Sequence, residues 1–295
     1  IMQLEGLFVA LVTPFYKGEV NEEKLRELVR FQVKSGSQVI VLCGTTGESP
    51  TLSWPEICRI FEIVVQEARG KITIVAGTGT NSTAETIEAT HKARDLGADM
   101  AMVITPYYNK PTQEGLFLHF EAVAHSVDMP LMIYNVPART GVNLEPSTVE
   151  HLSEIDTIVA LKEASGNLDQ ISEIIGRCAD KIRVFSGDDS LFVPVLSVGG
   201  VGVVSVVGNL VPRDLCSLYD DFQKSNVSQV LQYQKKLFPL SRSMFFETNP
   251  IPVKTALNIL GWEVGKLRLP LGDMSKAQEE KLVKVLNEYG LLDQI

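Results

Sequence analysis

The stretch "IVALKEAS" (158–165) places a lysine at the end of a short apolar, β-branched run. Continuous apolar runs of this length are typical of parallel strands that are covered on both faces. Seven further runs of the same character occur along the chain, at 7–15, 38–45, 72–78, 100–106, 130–137, 182–189 and 202–209. The sequence therefore predicts eight parallel strands.

Helical patterns fill the gaps between these runs. Their start and stop signals are Ser53 with Glu56, Ser82 with Glu85, Pro146, Pro212, Gly36 and Gly97. Eight strands that alternate with helices over roughly 225 residues predict an α/β fold, the (β/α)8 TIM barrel. We place the barrel at residues 1–225. From about Val227 onward the pattern is helical without strands, so residues 226–295 are predicted to form a C-terminal helical domain.

The composition is that of a soluble globular protein, with 45% hydrophobic and 21% charged residues. The net charge of −9, with no basic stretch to offset it, argues against a nucleic-acid partner. No apolar run reaches the length of a membrane span, and the N-terminal residues lack the pattern of a signal peptide. We therefore expect a cytoplasmic protein without a membrane partner.

The cysteines and histidines do not form a metal-binding pattern. The four cysteines are far apart in sequence, which predicts reduced thiols at Cys43, Cys58, Cys178 and Cys216. The four histidines are scattered over predicted helices, so neither a zinc site nor a histidine-based triad is expected.

Lys162 is the candidate nucleophile. A buried ammonium without a partner is costly, so a buried lysine tends to lose its proton, and the neutral amine can form a Schiff base with a carbonyl. Ala160 and Ala164 share its face of the strand and leave room for a long side chain inside the barrel. The alternative is a strand-end lysine that reaches water. Glu163 then points outward and needs a partner there.

Other polar residues stand at strand ends, where barrel enzymes hold their chemistry. The second run leads into Thr45 and Thr46, whose turn can hold a carboxylate or can be a plain turn. The fifth run contains Tyr134 and is followed by Arg139. A phenol can relay protons and a guanidinium can hold a carboxylate, whereas a core aromatic and a surface ion pair are the alternatives.

Two further strand ends carry paired residues. Tyr107 and Tyr108 follow the fourth run, and adjacent exposed aromatics are typical of an interface. Asp188 and Asp189 follow the seventh run. A metal site is conceivable there, but we predict that they cap the next helix.

Taken together, these motifs resemble the dihydrodipicolinate synthase family of class I aldolase-type barrels, also named after 4-hydroxy-tetrahydrodipicolinate. The similarity spans essentially the whole chain. Its motifs occur in the order VTPF, GTTGES, AGTGTNSTAET, TPYYNKPTQEG, YNVPARTG, LKEASG, SGDD and NPIPVK. The resemblance implies a lyase that condenses pyruvate with L-aspartate 4-semialdehyde, the first committed step of diaminopimelate and lysine synthesis.

The resemblance also implies a role for each matching residue. Lys162 forms the Schiff base with pyruvate, and Tyr134 relays protons. Thr46 links Tyr134 by hydrogen bonds to Tyr108, which reaches in from a neighbouring subunit. The family is usually a homotetramer, built as a dimer of dimers.

The remaining implied roles concern substrate binding. Thr45 and Thr46 hold the carboxylate of pyruvate, and Arg139 holds that of the semialdehyde. Gly187 and Val204 supply backbone groups near the site. No metal or organic cofactor is implied.

Two other functions stay open. Sister pyruvate-dependent aldolases, such as N-acetylneuraminate lyase and the sugar-acid aldolases, share the lysine and the tyrosine but lack the arginine of PARTG. N-acetylneuraminate lyase also usually has serine where Thr46 stands, so the semialdehyde is favoured. The second alternative is a non-catalytic regulatory barrel, which is disfavoured because every motif residue is present.

Feedback inhibition by lysine is a further property of the family. The residues that match its lysine site are Ser49, Asn81, Glu85 and Tyr107. Many bacterial members carry histidines at the positions of Trp54 and Ile57. Because Ile57 cannot accept a hydrogen bond, we predict weak or absent inhibition.

Overall fold

The strands form a closed barrel, which confirms the predicted (β/α)8 TIM barrel. The computed structural model describes residues 4–178 and 180–294. The strands of this part of the chain are β1 (Gly6–Ala10), β2 (Phe15–Tyr16), β3 (Glu19–Val20), β4 (Val39–Leu42), β5 (Thr73–Gly77), β6 (Met100–Ile104), β7 (Leu131–Asn135), β8 (Ile158–Glu163), β9 (Arg183–Ser186) and β10 (Gly202–Ser205). The barrel order is β1-β10-β9-β8-β7-β6-β5-β4.

Burial explains why most residues of the barrel strands are apolar. Every residue of β1, β4 and β10 is buried, so both faces of these strands are covered. Each of the eight predicted runs overlaps one barrel strand, and only β1 begins outside its run, one residue earlier at Gly6.

Helices connect the barrel strands and continue after the last of them, β10. They are α1 (Glu22–Ser35), α2 (Trp54–Ala68), α3 (Thr83–Asp95), α4 (Gln113–Ser126), α5 (Pro137–Thr140), α6 (Pro146–Leu152), α7 (Leu168–Cys178), α8 (Phe192–Ser197), α9 (Pro212–Gln223), α10 (Val227–Ser243), α11 (Ile251–Ile259) and α12 (Lys276–Tyr289). None of the described helices combines the length and the apolar character that a membrane crossing needs.

The helix boundaries follow the local signals. Ser53 and Glu56 form a capping box at the start of α2, and the Oγ of Ser82 accepts a hydrogen bond at the start of α3. Pro146 and Pro212 occupy first helical positions. Gly36 ends α1 with φ of 85°, a conformation that glycine adopts without strain.

One feature of the fold was not predicted. The run at 7–15 is not a single strand, because β1 ends at Ala10 and Phe15 belongs to the separate pair β2 and β3. In this pair Phe15 lies opposite Val20 in antiparallel orientation. Two strands of two residues each are too short to show an alternating pattern in the sequence.

The chain divides into two compact units. The first unit comprises Thr73–Val204 with the described residues before Leu7. Its core packs α4, α6 and α7 against the outward faces of the strands β6 to β9. Among its fully buried side chains are Phe120, Val149, Leu161, Ile174 and Val184.

The second unit comprises Leu7–Ile72 with the described residues from Ser205 onward. Arg26 and Arg30 of α1 pair with Glu67 of α2. From Val227 onward the described elements are all helical. The division at residue 225 into a barrel and a helical domain stays a prediction.

Candidate active site

The candidate nucleophile and the candidate proton relay are neighbours in the first unit. Tyr134 of β7 and Lys162 of β8 are opposite each other in the parallel ladder between these strands. The Nζ of Lys162 lies 3.9 Å from the centroid of the Tyr134 ring. Both side chains are buried, with 7% of Lys162 and 6% of Tyr134 exposed. The fold therefore holds an amine against a phenol ring away from bulk water.

Burial makes this amine easy to deprotonate. Removal from water lowers the pKa of Lys162 from 10.5 to about 7, Asp189 acts in the opposite direction, and Arg139 lowers it further. A substantial fraction of the amine is therefore neutral at neutral pH and can act as a nucleophile.

Small neighbours accommodate the lysine, as the sequence predicted. Ala160 is fully buried two residues before Lys162 on the same face of β8. Glu163 faces the other way, and the structure identifies its partners. Its carboxylate accepts hydrogen bonds from the backbone N–H of Ser165 at 2.7 Å and from Nδ2 of Asn135 at 2.9 Å.

Arg139 lies on the short helix α5, directly after β7. The helix begins at Pro137, and Gly141 ends it with φ of 76°. Arg139 is exposed and close enough to Lys162 to influence its charge. Its role toward a substrate stays a prediction.

Gly187 and Val204 are also residues of the first unit. The backbone N–H of Gly187 donates to the carbonyl of Glu163 at 2.7 Å. A Cβ at this position would lie 2.5 Å from the Cβ of Ala164, so the close approach requires glycine. Val204 is buried within β10. Their roles toward a substrate stay predictions.

Tyr108 does not reach into the protein interior. Its side chain is 88% exposed, and its backbone has φ of 74°, which is strained for a bulky residue. Its N–H donates to the carbonyl of Thr140 at 3.4 Å. Tyr107 beside it is 39% exposed. The structure thus presents two adjacent aromatics to the outside of this chain.

The two aspartates after β9 have different environments. The carboxylate of Asp188 accepts a hydrogen bond from the N–H of Ser190 at 2.8 Å, which confirms its capping role. Asp189 is 5% exposed and acts electrostatically on Lys162. Asp189 was predicted to cap the next helix as well, but the capping residue of the short 3-10 helix Asp189–Leu191 is Asp188. The effect of Asp189 on Lys162 was missed, although its place at a strand end was a usable signal.

Thr45 and Thr46 belong to the second unit, in the turn that follows β4. Thr46 is 3% exposed, and its Oγ1 accepts a hydrogen bond from Nδ2 of Asn249 at 3.0 Å. The Oγ1 of Thr13 donates to the carbonyl of Gly47 at 2.7 Å. Contacts from distant parts of the sequence therefore fix the turn.

A fully buried ion pair follows this turn and was not predicted. Glu48 and Lys254 are joined at 2.7 Å, with both side chains 0% exposed. Lys254 also donates to the carbonyls of Thr13 at 3.0 Å and Lys266 at 3.2 Å. Burial lowers the pKa of Lys254, and Glu48 opposes this change. Glu48 itself has φ of 55°, so the pair secures an unusual backbone conformation.

The residues that match the lysine site are distributed over both units. Ser49 begins a short 3-10 helix in the second unit. In the first unit, the carbonyl of Asn81 accepts from Asn109 at 2.8 Å, and Glu85 lies in the first turn of α3. Trp54 is 40% exposed. Their role in binding lysine stays a prediction.

The cysteines are free thiols in the described residues. Burial raises the pKa of Cys43 to about 12 and those of Cys178 and Cys216 to about 11. The thiols of Cys43, Cys178 and Cys216 are therefore protonated and poorly nucleophilic at neutral pH. Within the described ranges, no three His, Cys, Asp or Glu side chains are grouped so that they could hold a metal ion.

Comparison with known proteins gives a family match along nearly the whole chain. The model of the dihydrodipicolinate synthetase family matches residues 3–289. Among curated relatives, proteins named 4-hydroxy-tetrahydrodipicolinate synthase from Geotalea uraniireducens and Geotalea daltonii are 52% and 51% identical to this chain. Each match covers 98% of this chain and 99% of the relative.

Solved structures agree in fold. Dihydrodipicolinate synthase from Aquifex aeolicus is 46% identical, with a TM-score of 0.95, covering 98% of this chain and 99% of that one. The enzyme from Cyanidioschyzon merolae with lysine bound is 41% identical, with a TM-score of 0.95 and coverage of 98% and 99%. A monomeric dihydrodipicolinate synthase variant is 40% identical, with a TM-score of 0.96 and coverage of 98% and 97%.

Proposed function

Because this chain belongs to the dihydrodipicolinate synthetase family, we propose that it condenses pyruvate with L-aspartate 4-semialdehyde to give 4-hydroxy-tetrahydrodipicolinate. This reaction is the first committed step of diaminopimelate and lysine synthesis. The observation that carries the proposal is the buried amine of Lys162, whose pKa is lowered to about 7 beside the Tyr134 ring.

The chemistry begins with addition of the neutral amine of Lys162 to the keto carbon of pyruvate. Loss of water from the adduct gives the protonated Schiff base. This cation withdraws electrons, so a methyl proton leaves and an enamine forms. The enamine carbon attacks the aldehyde carbon of the semialdehyde, whose oxygen takes up a proton. The amine of the bound product then attacks the Schiff-base carbon, which closes the ring and releases Lys162.

Protons move through hydroxyl groups in this proposal. Tyr134 donates and accepts them at the amine and at the intermediate oxygens. Thr46 connects Tyr134 with Tyr108 of a neighbouring subunit. The exposure of Tyr108 and its strained backbone support this arrangement, because a residue that serves another subunit must project from its own. We therefore propose a homotetramer built as a dimer of dimers.

The residues that bind the carboxylates of the two substrates determine which substrates the site accepts. Thr45 and Thr46 receive the carboxylate of pyruvate, with backbone groups of Gly187 and Val204 beside the adduct. Arg139 receives the carboxylate of the semialdehyde through paired hydrogen bonds. A sister aldolase that takes a sugar-derived aldehyde needs hydroxyl recognition instead of this guanidinium.

The steps require no metal or organic cofactor, because the Schiff base itself stabilises the carbanion-like intermediate. The substrates are small metabolites of the cytoplasm, where we place the protein. Neither a nucleic acid nor a membrane takes part.

The deciding experiment is a substrate panel. We would measure turnover of pyruvate with aspartate semialdehyde, N-acetylmannosamine or glyceraldehyde for the wild type, Lys162→Ala and the surface control Lys181→Ala. Turnover with the semialdehyde alone, lost only in Lys162→Ala, is expected. Preference for N-acetylmannosamine or glyceraldehyde would assign the chain a sister specificity. Absence of turnover with all three would favour a regulatory barrel.

Regulation is tested in the same assay. Ser49, Asn81, Glu85 and Tyr107 are proposed to form a lysine site that binds weakly, because Ile57 offers no hydrogen-bonding group. Little change in turnover at millimolar lysine is expected, whereas strong inhibition would contradict this proposal.

A further inference from the structure

We propose that Glu163 and Asn135 are positioning residues that hold the strand pair and the loop carrying Lys162, Tyr134 and Arg139. This inference rests on the proposed function, since it assigns both residues to the support of the Schiff-base site. Neither is proposed to touch the substrate, and both act through their neighbours.

The register of β7 and β8 places Asn135 and Glu163 next to the two residues of the site. In the ladder between β7 and β8, Tyr134 is opposite Lys162 and Asn135 is opposite Glu163. Successive side chains of a strand point to opposite faces. Asn135 and Glu163 therefore face away from the barrel interior, whereas Tyr134 and Lys162 face into it. The first two residues lie one position further along their strands. Asn135 directly follows Tyr134, and Glu163 directly follows Lys162. A displacement of Asn135 or Glu163 is therefore transmitted through one peptide unit to the phenol or to the amine.

The Glu163 carboxylate is buried and is held by hydrogen bonds. The residue is 1% exposed. One oxygen accepts from the N–H of Ser165 at 2.7 Å, and the other accepts from Asn135 at 2.9 Å and from Nε2 of Gln170 at 3.4 Å. All these donors are neutral groups: a backbone N–H and two side-chain amides. A carboxyl group in such a place is costly, and an apolar side chain would fill the space more cheaply.

Besides its bond to Glu163, the side chain of Asn135 makes hydrogen bonds to the loop that follows β7. Its Oδ1 accepts from the N–H of Leu144 at 3.0 Å, and its Nδ2 also donates to Oδ1 of Asn143 at 2.9 Å. The side chain thus closes the loop between positions 135 and 144, which contains Arg139 on α5. Both amide protons are in use, so no other residue of similar size can make the same set of contacts.

These contacts connect three groups that the reaction needs in one geometry. Displacement of a reacting group by about 1 Å can lower a rate on the order of 100-fold. Glu163 fixes the end of β8 beside Lys162, and Asn135 fixes both the end of β7 and the loop with Arg139. Loss of their mutual hydrogen bond should slow adduct formation even in a folded protein.

The test changes the hydrogen-bond donor Asn135 and the acceptor Glu163, first separately and then together. Glu163→Gln turns an acceptor oxygen into a donor that faces Asn135, and Asn135→Asp turns the donor into an acceptor that faces Glu163. We expect each single variant to lose about 10- to 100-fold in the rate of borohydride trapping with pyruvate and in kcat. The double variant E163Q/N135D exchanges donor and acceptor in the hydrogen bond between the two residues but still lacks the bond from position 135 to Oδ1 of Asn143, so it should regain part of the trapping rate.

A matched control and a milder variant complete the series. Glu173→Gln makes the same chemical change at an exposed carboxylate that pairs with Arg177 at 2.8 Å, and it should behave as wild type. Gln170→Ala removes the weakest of the three donors and should give a smaller loss in the same direction. Circular dichroism and Tm establish that each variant is folded.

The outcomes separate the two proposals. A wild-type protein that forms no trapped adduct would overturn the proposed function and this inference with it. A wild type that forms the adduct, together with folded single variants that match it in trapping rate and kcat, would overturn only the positioning roles. If both single variants fail to fold, Gln170→Ala decides, and normal kinetics in that variant would count against the inference.

Discussion

The Nζ of Lys162 lies 3.9 Å from the centre of the Tyr134 ring, and the two residues face each other across one parallel ladder. The strand register brings them together, so the distance does not depend on a mobile loop. Burial lowers the pKa of the amine, and the phenol stands ready to exchange protons with it.

Adduct formation should depend on pH through the amine of Lys162. Because its pKa is lowered to about 7, the neutral fraction rises as the pH increases through that value. The rate of borohydride trapping with pyruvate should therefore rise between about pH 6 and pH 8 and then level off. Rapid-quench measurements would give this profile. A midpoint near the ordinary lysine value of 10.5 would contradict the burial argument.

Replacement of Lys162 by methionine should stabilise the protein while it abolishes turnover. The unfolded chain holds the lysine proton up to a higher pH than the folded one, so stability rises with pH between about 7 and 10.5. The cost of the buried lysine is fully present below pH 7. The gain in unfolding free energy on substitution should thus be on the order of a few kcal/mol at pH 6 and smaller at pH 9. Urea unfolding at both pH values measures it, and an equal effect at both would argue against a shifted lysine.

Removal of the Tyr134 hydroxyl should separate binding from turnover. Tyr134→Phe keeps the ring beside Nζ, so the adduct with pyruvate should still form. Without the phenol, kcat should fall about 100- to 10,000-fold, the usual contribution of a positioned acid or base. Steady-state kinetics and trapping on the same preparation test this. Unchanged kcat would remove Tyr134 from the relay.

The buried pair of Glu48 and Lys254 should be important for stability. Lys254→Met leaves a carboxylate buried without its cation, which should cost about 3–5 kcal/mol. Adding Glu48→Gln should restore part of that loss. Lys266→Ala is the control, because its ion pair with Asp273 is exposed and its removal should leave Tm unchanged. Equal Tm values for Lys254→Met and the wild type would show that the pair is dispensable.

Tyr108 should act across a subunit boundary. Tyr108→Phe should lose most of its turnover with an unchanged Tm, since the side chain is 88% exposed in its own chain. Mixing inactive Tyr108→Phe with inactive Lys162→Ala should restore about a quarter of wild-type activity, because random hybrid pairs contain one intact site. Activity that stays absent after subunit exchange, or a monomer in sedimentation analysis, would rule out the shared site.

The fold could be predicted from the sequence because each barrel strand lies in a mostly apolar run and helix signals follow these runs. The inward position of Lys162 could also be predicted, since Ala160 and Ala164 leave it room. These are local patterns, which a single sequence records directly. The β2–β3 pair was not predicted, because strands of two residues carry no periodic signal in the sequence.

Partners that are distant along the chain could not be predicted. Glu48 and Lys254 are 206 positions apart, and nothing near either residue indicates the other. Glu163 was expected to need a partner, but the choice of Asn135 follows only from the strand register. The effect of Asp189 on Lys162 likewise depends on how the strand ends are arranged in space.

Lys162 is the proposed nucleophile, and locating the reduced adduct in the sequence tests this role. The wild-type protein would be incubated with pyruvate and borohydride, digested and analysed by mass spectrometry. We expect one reduced pyruvyl group, on the peptide that contains Lys162, and none in Lys162→Ala. A modified Lys254 or another lysine, or no modification at all, would contradict it.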